Sequence, residues 1–441
     1  MMNIQQTFKR SIFLTLAISA LAIFSFAQNI SFDEPREEKL LNELKVLIWK
    51  QPNDGKVSVK LRIHSGAAFD PKDKMGTMVL LGDILFPEEG LKTFFEEDLE
   101  GKLEIETTYD YIQINATAKQ DELLSVLETI APAVINPEIN KELTSKVKLK
   151  QLEKLKTLDK NSAYVADRAA AKKLLGDFPY GRPLEGTMES VAGIDFADII
   201  LARQRFLTSD NATLTITGDV RSNFAYRAAR RLFGGWTKSN EKVPSSFRLP
   251  GKPDTSVAPI PNEGNNKIDL VHAINGVSRR DGDYFSSRIL EKILVNRTKE
   301  DGDTAASAIR QDSHLLKGIY FMKAQLELEG VNPSQENLGI GNVGNLFKLV
   351  LKNKISSDEF RTAKSAVVRE TAGKAAADIW LDIDTYRLRS VKDEMKRLSS
   401  VSIKDIQTLA DKLANEPHVA VVMVPAKTVS IDQDRNPDDP K

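Results

Sequence analysis

The amino-acid sequence predicts an α+β fold of two homologous domains, each a mostly antiparallel sheet covered by helices. Short runs of alternating apolar residues, which are typical of half-buried strands, are interspersed with longer runs of helical periodicity. The same strand-to-helix order recurs after a proline-rich segment, which indicates a duplicated unit. The length of 441 residues, with 41% hydrophobic and 28% charged residues, is typical of a globular chain that buries more than one core.

Residues 1–27 have the layout of a secretory signal peptide. Lys9 and Arg10 precede an apolar run over residues 11–24, which is followed by a small–x–small cleavage site (Ser-Phe-Ala). The run is short for a membrane span, which needs about 20 apolar residues, and an N-terminal anchor is the alternative. We therefore expect an exported chain, periplasmic or secreted, that starts near Gln28 and has no membrane span after signal cleavage.

The first domain is predicted over residues 28–238. It opens with strands at 45–49 and 57–64, joined by a Pro-Asn-Asp-Gly turn that favours a hairpin. Residues 76–86 then form a buried apolar helix. Further elements follow from the same periodicities: a strand at 109–118, helices at 121–134, 141–158, 162–175 and 199–206, a strand at 212–217, and a helix at 223–233.

A proline-rich segment separates this domain from a repeat of it. Residues 239–266 are predicted as a linker, and residues 267–429 as the second domain. Its strand at 267–273 and helix at 284–295 match the second strand and first helix of the first domain. The remaining predicted elements are strands within 318–327, a long helix at 335–353, helices up to residue 414, a final strand at 418–424 and a disordered tail at 430–441.

Charge and cysteine content exclude several classes of function. The chain has 62 Lys+Arg against 62 Asp+Glu, which gives no overall attraction for nucleic acid or an anionic membrane. It has no cysteine, so thiolate zinc sites, thiol nucleophiles and disulfides cannot form. Serine-hydrolase chemistry has no support, because the G-x-S-x-G motif is absent from the sequence. The four histidines are far apart, and we expect structural or solvated roles for them: His64, His272, His314 and His418.

Two further patterns have ordinary structural explanations. Residues 339–344 satisfy G-x-G-x-x-G, a pattern found in dinucleotide-binding loops. Such a loop follows a strand directly, whereas roughly ten residues, including a proline, separate this one from the preceding strand. A glycine-tolerant helix face is therefore a better interpretation than dinucleotide binding. The charge-dense segment at 141–160 could be a basic patch, but a solvated helix face is the better interpretation, because Glu142, Glu153 and Asp159 interrupt its positive charge.

Residues 178–220 carry a resemblance to a known family. Residues 178–191 (FPYGRPLEGTMESV) resemble the "HPYGRPxxGTxExI" stretch of the insulinase/pitrilysin-type zinc peptidases, with Phe178 in place of the leading histidine. Residues 205–220 (RFLTSDNATLTITGDV) are similar to the family's "fyxPdNatlvivGDv" element, and residues 42–47 (NELKVL) to its opening "NGLkVl" strand. The family includes the mitochondrial processing peptidase and its bacterial relatives. The resemblance covers nearly all of the mature chain and implies a processing-peptidase-like duplicated fold.

The resemblance also implies a zinc site on the helix at 76–86, and this sequence lacks its residues. Active members carry H-x-x-E-H there, in which two histidines bind zinc and the glutamate activates water. Val79 and Asp83 occupy the two histidine positions, and Gly82 occupies the position of the general base. Because valine cannot bind zinc and glycine cannot act as a base, the sequence excludes an ordinary catalytic site here.

The third zinc ligand of the family is a glutamate on a later helix, and our register places Gln151 there. Glu142 or Glu153 could replace it only in a shifted register. We therefore expect no metal and no other cofactor in this chain, with zinc only in a partner. Chelators should then leave its stability unchanged.

In the second domain the resemblance implies a substrate-binding arginine and, seven residues later, a tyrosine. Arg310 matches the arginine, whereas Lys317 stands at the tyrosine position. Tyr320 is an alternative if the loop differs, and an exposed loop arginine is also a common surface charge.

The resemblance thus implies a non-catalytic subunit of an exported two-chain peptidase. Such a subunit would enclose the chamber and help to bind peptide substrate for a homologous zinc-bearing partner. One alternative is a stand-alone structural or peptide-binding homologue, as the respiratory-complex core subunits of the family exemplify. The other is an active zinc metallopeptidase, against which the missing ligands argue. The chain is not expected to be an enzyme on its own.

Overall fold

A computed structural model describes residues 30–51, 55–239, 247–256, 259–262, 268–300, 306–326, 346–351 and 353–425. These residues form two sheets, one of six strands and one of five, with helices packed on them. The predicted α+β class with two homologous domains is confirmed. The predicted signal peptide, most of the 52–55 turn, the G-x-G-x-x-G motif and the predicted tail lie outside the described residues.

The strands of the two sheets follow each other along the chain. The first sheet contains β1 (Arg36–Lys39), β2 (Lys45–Lys50), β3 (Lys56–Ile63), β4 (Lys102–Thr107), β5 (Ile112–Lys119) and β6 (Ala212–Gly218). The second contains β7 (Pro259–Asn262), β8 (Ile268–Gly276), β9 (Ala306–Ser313), β10 (Gly318–Leu326) and β11 (His418–Pro425). The prediction missed β1, whose sequence (REEK) has no apolar residue, and also missed β4 and β9.

The helices of the first domain are α1 (Thr77–Leu85), α2 (Glu89–Glu97), α3 (Leu123–Ile135), α4 (Lys141–Leu158), α5 (Ser162–Leu175), α6 (Met188–Gly193), α7 (Phe196–Phe206) and α8 (Ser222–Phe233). Those of the second are α9 (Tyr284–Glu300), α10 (Leu346–Leu351), α11 (Ser357–Ala372), α12 (Ala376–Thr385), α13 (Val391–Ser400) and α14 (Ile403–Ala414). None of the helices in the described ranges is long and apolar enough to cross a bilayer.

The predicted hairpin between β2 and β3 is wrong. The order of the first sheet is β1-β2-β6-β3-β5-β4, so β6 lies between the two strands. It pairs with β2 in parallel and with β3 in antiparallel orientation. Nearly every side chain of β6 is buried, so the central position suits it better than an edge. A favourable local turn does not decide strand pairing when a later, more apolar strand competes for the same edge.

The second sheet repeats this arrangement in the order β7-β11-β8-β10-β9. Here β11 pairs with β7 in parallel and with β8 in antiparallel orientation, as β6 does with β2 and β3. The predicted internal repeat is therefore present in the topology. Because β7 (Pro259–Asn262) falls inside the predicted linker 239–266, the second sheet begins within that segment.

Strand alternation decides which side chains meet the helices. In the first sheet, Val57, Val59 and Leu61 of β3 enter a core shared with the covering helices of the first domain. The residues between them, including Lys60 and Arg62, point to the opposite face. In the second sheet, apolar side chains of β8 enter the core under α9, α11 and α14. Each domain thus has its own core on the helix-covered face of its sheet.

The other face of each sheet receives one helix from the other domain. We call the first contact the α5 interface: α5 packs across β8 and β11 of the second sheet. We call the second the α12 interface: α12 packs on the first sheet at β6. The α5 interface contains Ala166, Ala170, Leu174 and Leu175 against Val271, Ala273, Val419 and Val421. The α12 interface contains Asp378, Asp382 and Asp384 against Lys60, Arg62 and Lys45.

Candidate functional site

Helix α1, which carries the degenerate zinc motif, is fixed firmly at its N-terminus. The carboxylate of Asp70 accepts hydrogen bonds from the backbone N–H groups of Gly76 (2.8 Å) and Met78 (2.9 Å). Burial raises the pKa of Asp70 to about 7, against the opposing effect of these donors. Gly76 has φ 97°, and a Cβ on it would lie 2.9 Å from the carbonyl oxygen of Glu185. Only glycine fits this junction without strain.

Two positions of the motif are closed by packing. Val79, at the first histidine position, is 6% exposed. Gly82, at the general-base position, faces β4, and a Cβ built on it would lie 2.6 Å from Oγ1 of Thr107. A glutamate at this position would therefore require Thr107 to move. Thr107 of β4 occupies the space that a side chain at residue 82 would need.

Asp83, at the second histidine position, is the one motif residue that could bind a cation. It is partly buried, and its burial raises its pKa, while Lys154, Lys150 and Lys92 act to lower it. Within the described part of the chain, no hydrogen bond or salt bridge to its carboxylate is found. One partly buried carboxylate surrounded by lysines is a poor start for a zinc site.

Gln151, at the third ligand position, has a structural contact instead. Its side chain is almost completely buried, and its Nε2 donates a 2.9 Å hydrogen bond to the carbonyl oxygen of Glu185. This bond ties α4 to the same carbonyl that lies over Gly76, next to the start of α1. Glu142 and Glu153 both lie exposed on α4, and Glu153 pairs with Lys156 at 2.6 Å. Neither alternative ligand points into the helix pair.

The residues at these positions do not fit a zinc ion. Valine, glycine and a hydrogen-bonded amide leave Asp83 alone, whereas zinc needs three or four nitrogen, sulfur or carboxylate donors. No group of three or more His, Asp or Glu with suitable placement occurs within the described ranges. The hydrogen bond from Gln151 connects α4 to Glu185, and the close packing at Gly82 connects α1 to β4.

Arg310 lies on strand β9 and not in the exposed loop that the sequence suggested. Its guanidinium bonds to both carboxylate oxygens of Asp312 (2.9 and 3.0 Å) and to Asp167 on α5 (3.0 Å). It also lies 4.6 Å from the ring centroid of Phe321. The side chain is 45% exposed, so it is reachable, but its charge is already compensated.

The two residues proposed beside Arg310 have different environments. Lys317 lies in the turn between β9 and β10, and burial lowers its pKa. Tyr320 is fully buried in the core of the second domain, and its hydroxyl donates to the carbonyl oxygen of Ser287 at 2.9 Å. The suggestion that Tyr320 could replace the substrate-binding tyrosine is therefore wrong. On β10, Tyr320 points to the face opposite to Phe321 and Arg310, because successive side chains alternate.

Sequence reasoning missed a polar and aromatic cluster that joins the domains. The hydroxyl of Tyr180 donates to Asp110 at 2.8 Å, and the ring of His314 stacks on Tyr180 with centroids 4.5 Å apart. Tyr109 packs edge-on against both rings. A cavity of 210 Å³ lies beside this cluster and reaches Arg310. The signal was present in the 178–191 stretch, but only the fold brings His314 to it.

Two homologous α+β domains, with a helix pair whose expected zinc-ligand positions hold Val79, Asp83 and Gln151 and whose expected general-base position holds Gly82, define a metallopeptidase scaffold that lacks its zinc motif. The chain belongs to the insulinase family, peptidase family M16. The insulinase family model matches residues 45–188, and the model of the peptidase M16 inactive domain matches residues 193–367.

Individual relatives are distant but cover the whole domain pair. An uncharacterised zinc protease of Mycobacterium leprae is 19% identical over 409 residues, 87% of this chain and 90% of that protein. A peptidase M16 inactive domain from Pseudomonas fluorescens superposes with a TM-score of 0.75 at 19% identity, covering 89% of this chain and 98% of its own. The periplasmic protease PqqL of Escherichia coli gives 0.67 at 15% identity, over 92% of this chain and 49% of that one. At such identities the structures show the shared fold alone.

Proposed function

We propose that this protein is the non-catalytic subunit of an exported two-chain insulinase-type metallopeptidase. It would enclose part of the chamber and help to bind peptide for a homologous zinc-bearing partner. One observation carries the proposal: both domains of the family fold are retained, while every residue of the zinc site is replaced. Gln151 and Gly82 at those positions have structural contacts of their own, so the scaffold is maintained for a purpose other than metal chemistry.

Peptide binding has a physical basis next to α1. Strand β4 is an edge strand of the first sheet and packs against α1. An edge strand presents a row of backbone N–H and C=O groups on its outer side, which an extended peptide can pair with. Arg310, half exposed on the edge strand β9 of the second sheet, could bind a peptide carboxylate or carbonyl by exchanging one of its aspartate partners.

Export is the second part of the proposal. The predicted signal peptide supports it, and the similarity to a protein described as a periplasmic protease agrees with it. The expected compartment is the periplasm or the outside of the cell.

The first test is the zinc content of the purified protein, measured by elemental analysis after dialysis. We expect close to no zinc per chain, because Asp83 alone binds too weakly. A chelator should leave the thermal midpoint of unfolding unchanged, since no metal-binding energy is coupled to folding. About one zinc per chain, or a lower midpoint in chelator, would contradict the proposal and favour the active single-chain peptidase.

The second test is whether this chain acts together with a zinc-bearing partner. A homologue with an intact H-x-x-E-H motif from the same genome is mixed with this chain, and peptide hydrolysis is followed. We expect hydrolysis only in the mixture, and a chelator should abolish it. Co-purification without any gain in hydrolysis would indicate a structural role, and no association at all would favour the stand-alone homologue.

The substrate role of Arg310 can be tested in the same mixture. Arg310→Gln should raise KM with little change in kcat, because the side chain is proposed to bind substrate and not to take part in the chemistry. The control is Arg361→Gln, which removes an exposed arginine that also pairs with a nearby aspartate, Asp358. Equal kinetics for the two variants would show that Arg310 is a surface charge without a role in substrate binding.

A further inference from the structure

Helix α8 of the first domain presents a strongly cationic outward face. Its small apolar residues and Phe233 are buried against the core of the domain. Its sequence, SNFAYRAARRLF, contains three arginines and no aspartate or glutamate, and Arg221 immediately precedes it. The exposed residues of the helix and its N-cap are Arg221, Asn223, Phe224, Arg227, Arg230 and Arg231.

Most of this charge is not compensated by the protein. Arg231 pairs with Glu128 of α3 at 2.9 Å. In the described part of the chain, neither Arg221, Arg227 nor Arg230 forms a salt bridge, and Arg230 lies 5.8 Å from the ring of Tyr226. A fifth arginine, Arg36 of β1, approaches the same ring at 5.5 Å and pairs with Glu38.

Helix α4, another basic helix of the same domain, has a larger share of its charge paired. Three of the lysines of α4 have carboxylate partners: Lys146 pairs with Glu88 at 2.8 Å, Lys150 with Glu89 at 2.9 Å and Lys156 with Glu153 at 2.6 Å. The other three lysines of α4 have no salt bridge within the described residues, so the two helices differ in the paired share of their charge: three of six lysines on α4, against one of the four arginines on α8 and its N-cap. An uncompensated cluster of arginines repels itself, so it is expected to have an anionic partner outside the chain.

We propose that the outward face of α8 binds the surface of an anionic phospholipid bilayer. The guanidinium groups of Arg221, Arg227 and Arg230 match phosphate oxygens, since arginine donates paired hydrogen bonds in a planar fork. Phe224, which is 43% exposed between them, can enter the interfacial layer. The zero net charge of the chain does not oppose this, because charges beyond about 8 Å are screened at physiological ionic strength.

A bilayer fits these observations better than other anionic partners. Phe224, Arg227 and Arg230 lie on one exposed helix face, and Arg221 is exposed at the start of the same helix, which suits a plane. The predicted signal peptide brings the chain to a membrane and away from cytoplasmic nucleic acid. The inference needs export, but it does not need the proposed peptidase partner.

The test is sedimentation of the purified protein with phosphatidylcholine vesicles that contain or lack phosphatidylglycerol. We expect binding only to the phosphatidylglycerol vesicles, and its loss at high salt. Each basic residue at such a surface strengthens binding about fivefold, so the double variant Arg227→Gln/Arg230→Gln should bind about 25-fold more weakly. Its thermal midpoint should match that of the unchanged protein, because both side chains are exposed and unpaired.

The matched control is Lys146→Gln/Lys150→Gln on α4, which removes the same charge from lysines that already have partners. It should keep most of the binding. Equal loss in both double variants would show that only overall charge matters and would overturn the assignment to α8. Equal binding to vesicles with and without phosphatidylglycerol would overturn it too, as would inhibition of binding by millimolar inorganic phosphate without any salt effect from chloride.

Discussion

The two contacts between the domains are built alike but differ in the chemistry of their side chains. In each, one helix lies on the open face of the other domain's sheet. The α5 interface is apolar at its centre, with Ala170 and Leu174 against Val271 and Val419, and Asp167 pairs with Arg310 and Lys323 beside this centre. The α12 interface is ionic, with Lys60 bonded to Asp378 at 2.5 Å and Arg62 to Asp382 at 2.9 Å. A duplicated fold has therefore kept the geometry of the contact while its chemistry has changed.

The strands beneath the helices explain the difference. Strand β3 (KVSVKLRI) alternates, so its face toward α12 carries Lys60 and Arg62. Strand β8 (IDLVHAING) has apolar residues on both faces, with His272 on the face away from α5, so its face toward α5 carries Val271 and Ala273. A polar sheet face needs charged partners when it is covered, because buried charges without partners are costly. The α12 interface also has one apolar anchor, where Trp49 packs edge-on against Trp380 with ring centroids 5.5 Å apart.

The largest expected effect is at the α5 interface. Leu174→Ala should lower the free energy of unfolding by about 2–5 kcal/mol, because it leaves a cavity under a side chain that is 1% exposed. The loss should not depend on salt. Urea denaturation at low and high salt measures both quantities. The control is Leu149→Ala on α4, an exposed leucine whose removal should change stability by less than about 0.5 kcal/mol. A loss at Leu174 as small as the control would show that the helix can leave the sheet easily.

Acid should weaken the α12 interface through His64. This imidazole lies between the hydroxyls of Thr385 of α12 (2.9 Å) and Thr213 of β6 (3.0 Å). Burial lowers the pKa of His64 to about 4. The unfolded chain takes up the proton near pH 6.5, so this contribution is present above pH 6.5 and is lost as the pH falls toward 4. The loss amounts to about 3 kcal/mol at most.

A variant can separate His64 from the rest of the acid response. Burial also lowers the pKa of His272 in the second sheet to about 4. Asp70 acts in the opposite direction, because its raised pKa makes the folded protein bind a proton that the unfolded chain does not hold in this range. His64→Gln, which retains hydrogen-bonding groups, should therefore lose less stability than the unchanged protein between pH 6.5 and 4, by about 3 kcal/mol at most, in a series of urea melts. An unchanged pH profile would mean that His64 is protonated in the folded protein without cost.

The smallest expected effect is the coupling between Lys60 and Asp378. Their side chains are 18% and 34% exposed, so partial solvent screening limits the coupling to about 1 kcal/mol. A double-mutant cycle with alanine should measure it, and high salt should reduce it. A parallel cycle on the exposed pair Arg361 and Asp358 should give no more than about 0.5 kcal/mol. If salt leaves the first coupling unchanged, the ionic description of this interface is wrong.

Local pattern predicted the elements that hold the candidate site. Helix α1 falls inside the predicted 76–86 helix, and α4 and α5 have the predicted bounds. These segments contain no proline, and side-chain caps such as Asn140 on α4 fix their ends. The absence of the zinc motif could also be predicted from the sequence, because it depends only on which residue stands at each motif position.

Strand pairing and contacts between distant residues could not be predicted from the sequence. The turn after β2 predicted a hairpin, but β6, more than 150 residues further on, takes the place beside it. Tyr320 lies near Arg310 in sequence, yet the alternation of β10 turns it into the core. The hydrogen bond from Gln151 to Glu185 and the stacking of His314 on Tyr180 join segments that no local pattern connects.

The sequence by itself determined the fold class, the duplication and the loss of the zinc ligands. Each of these follows from periodicity or from residue identity, which act over a few residues at a time. The tertiary structure alone decided which strands pair, which contacts the residues at the zinc-motif positions make, and that the two interfaces between the domains differ in chemistry. Those outcomes depend on burial and charge compensation between residues far apart in the chain, and these are set only when the sheets and helices pack together.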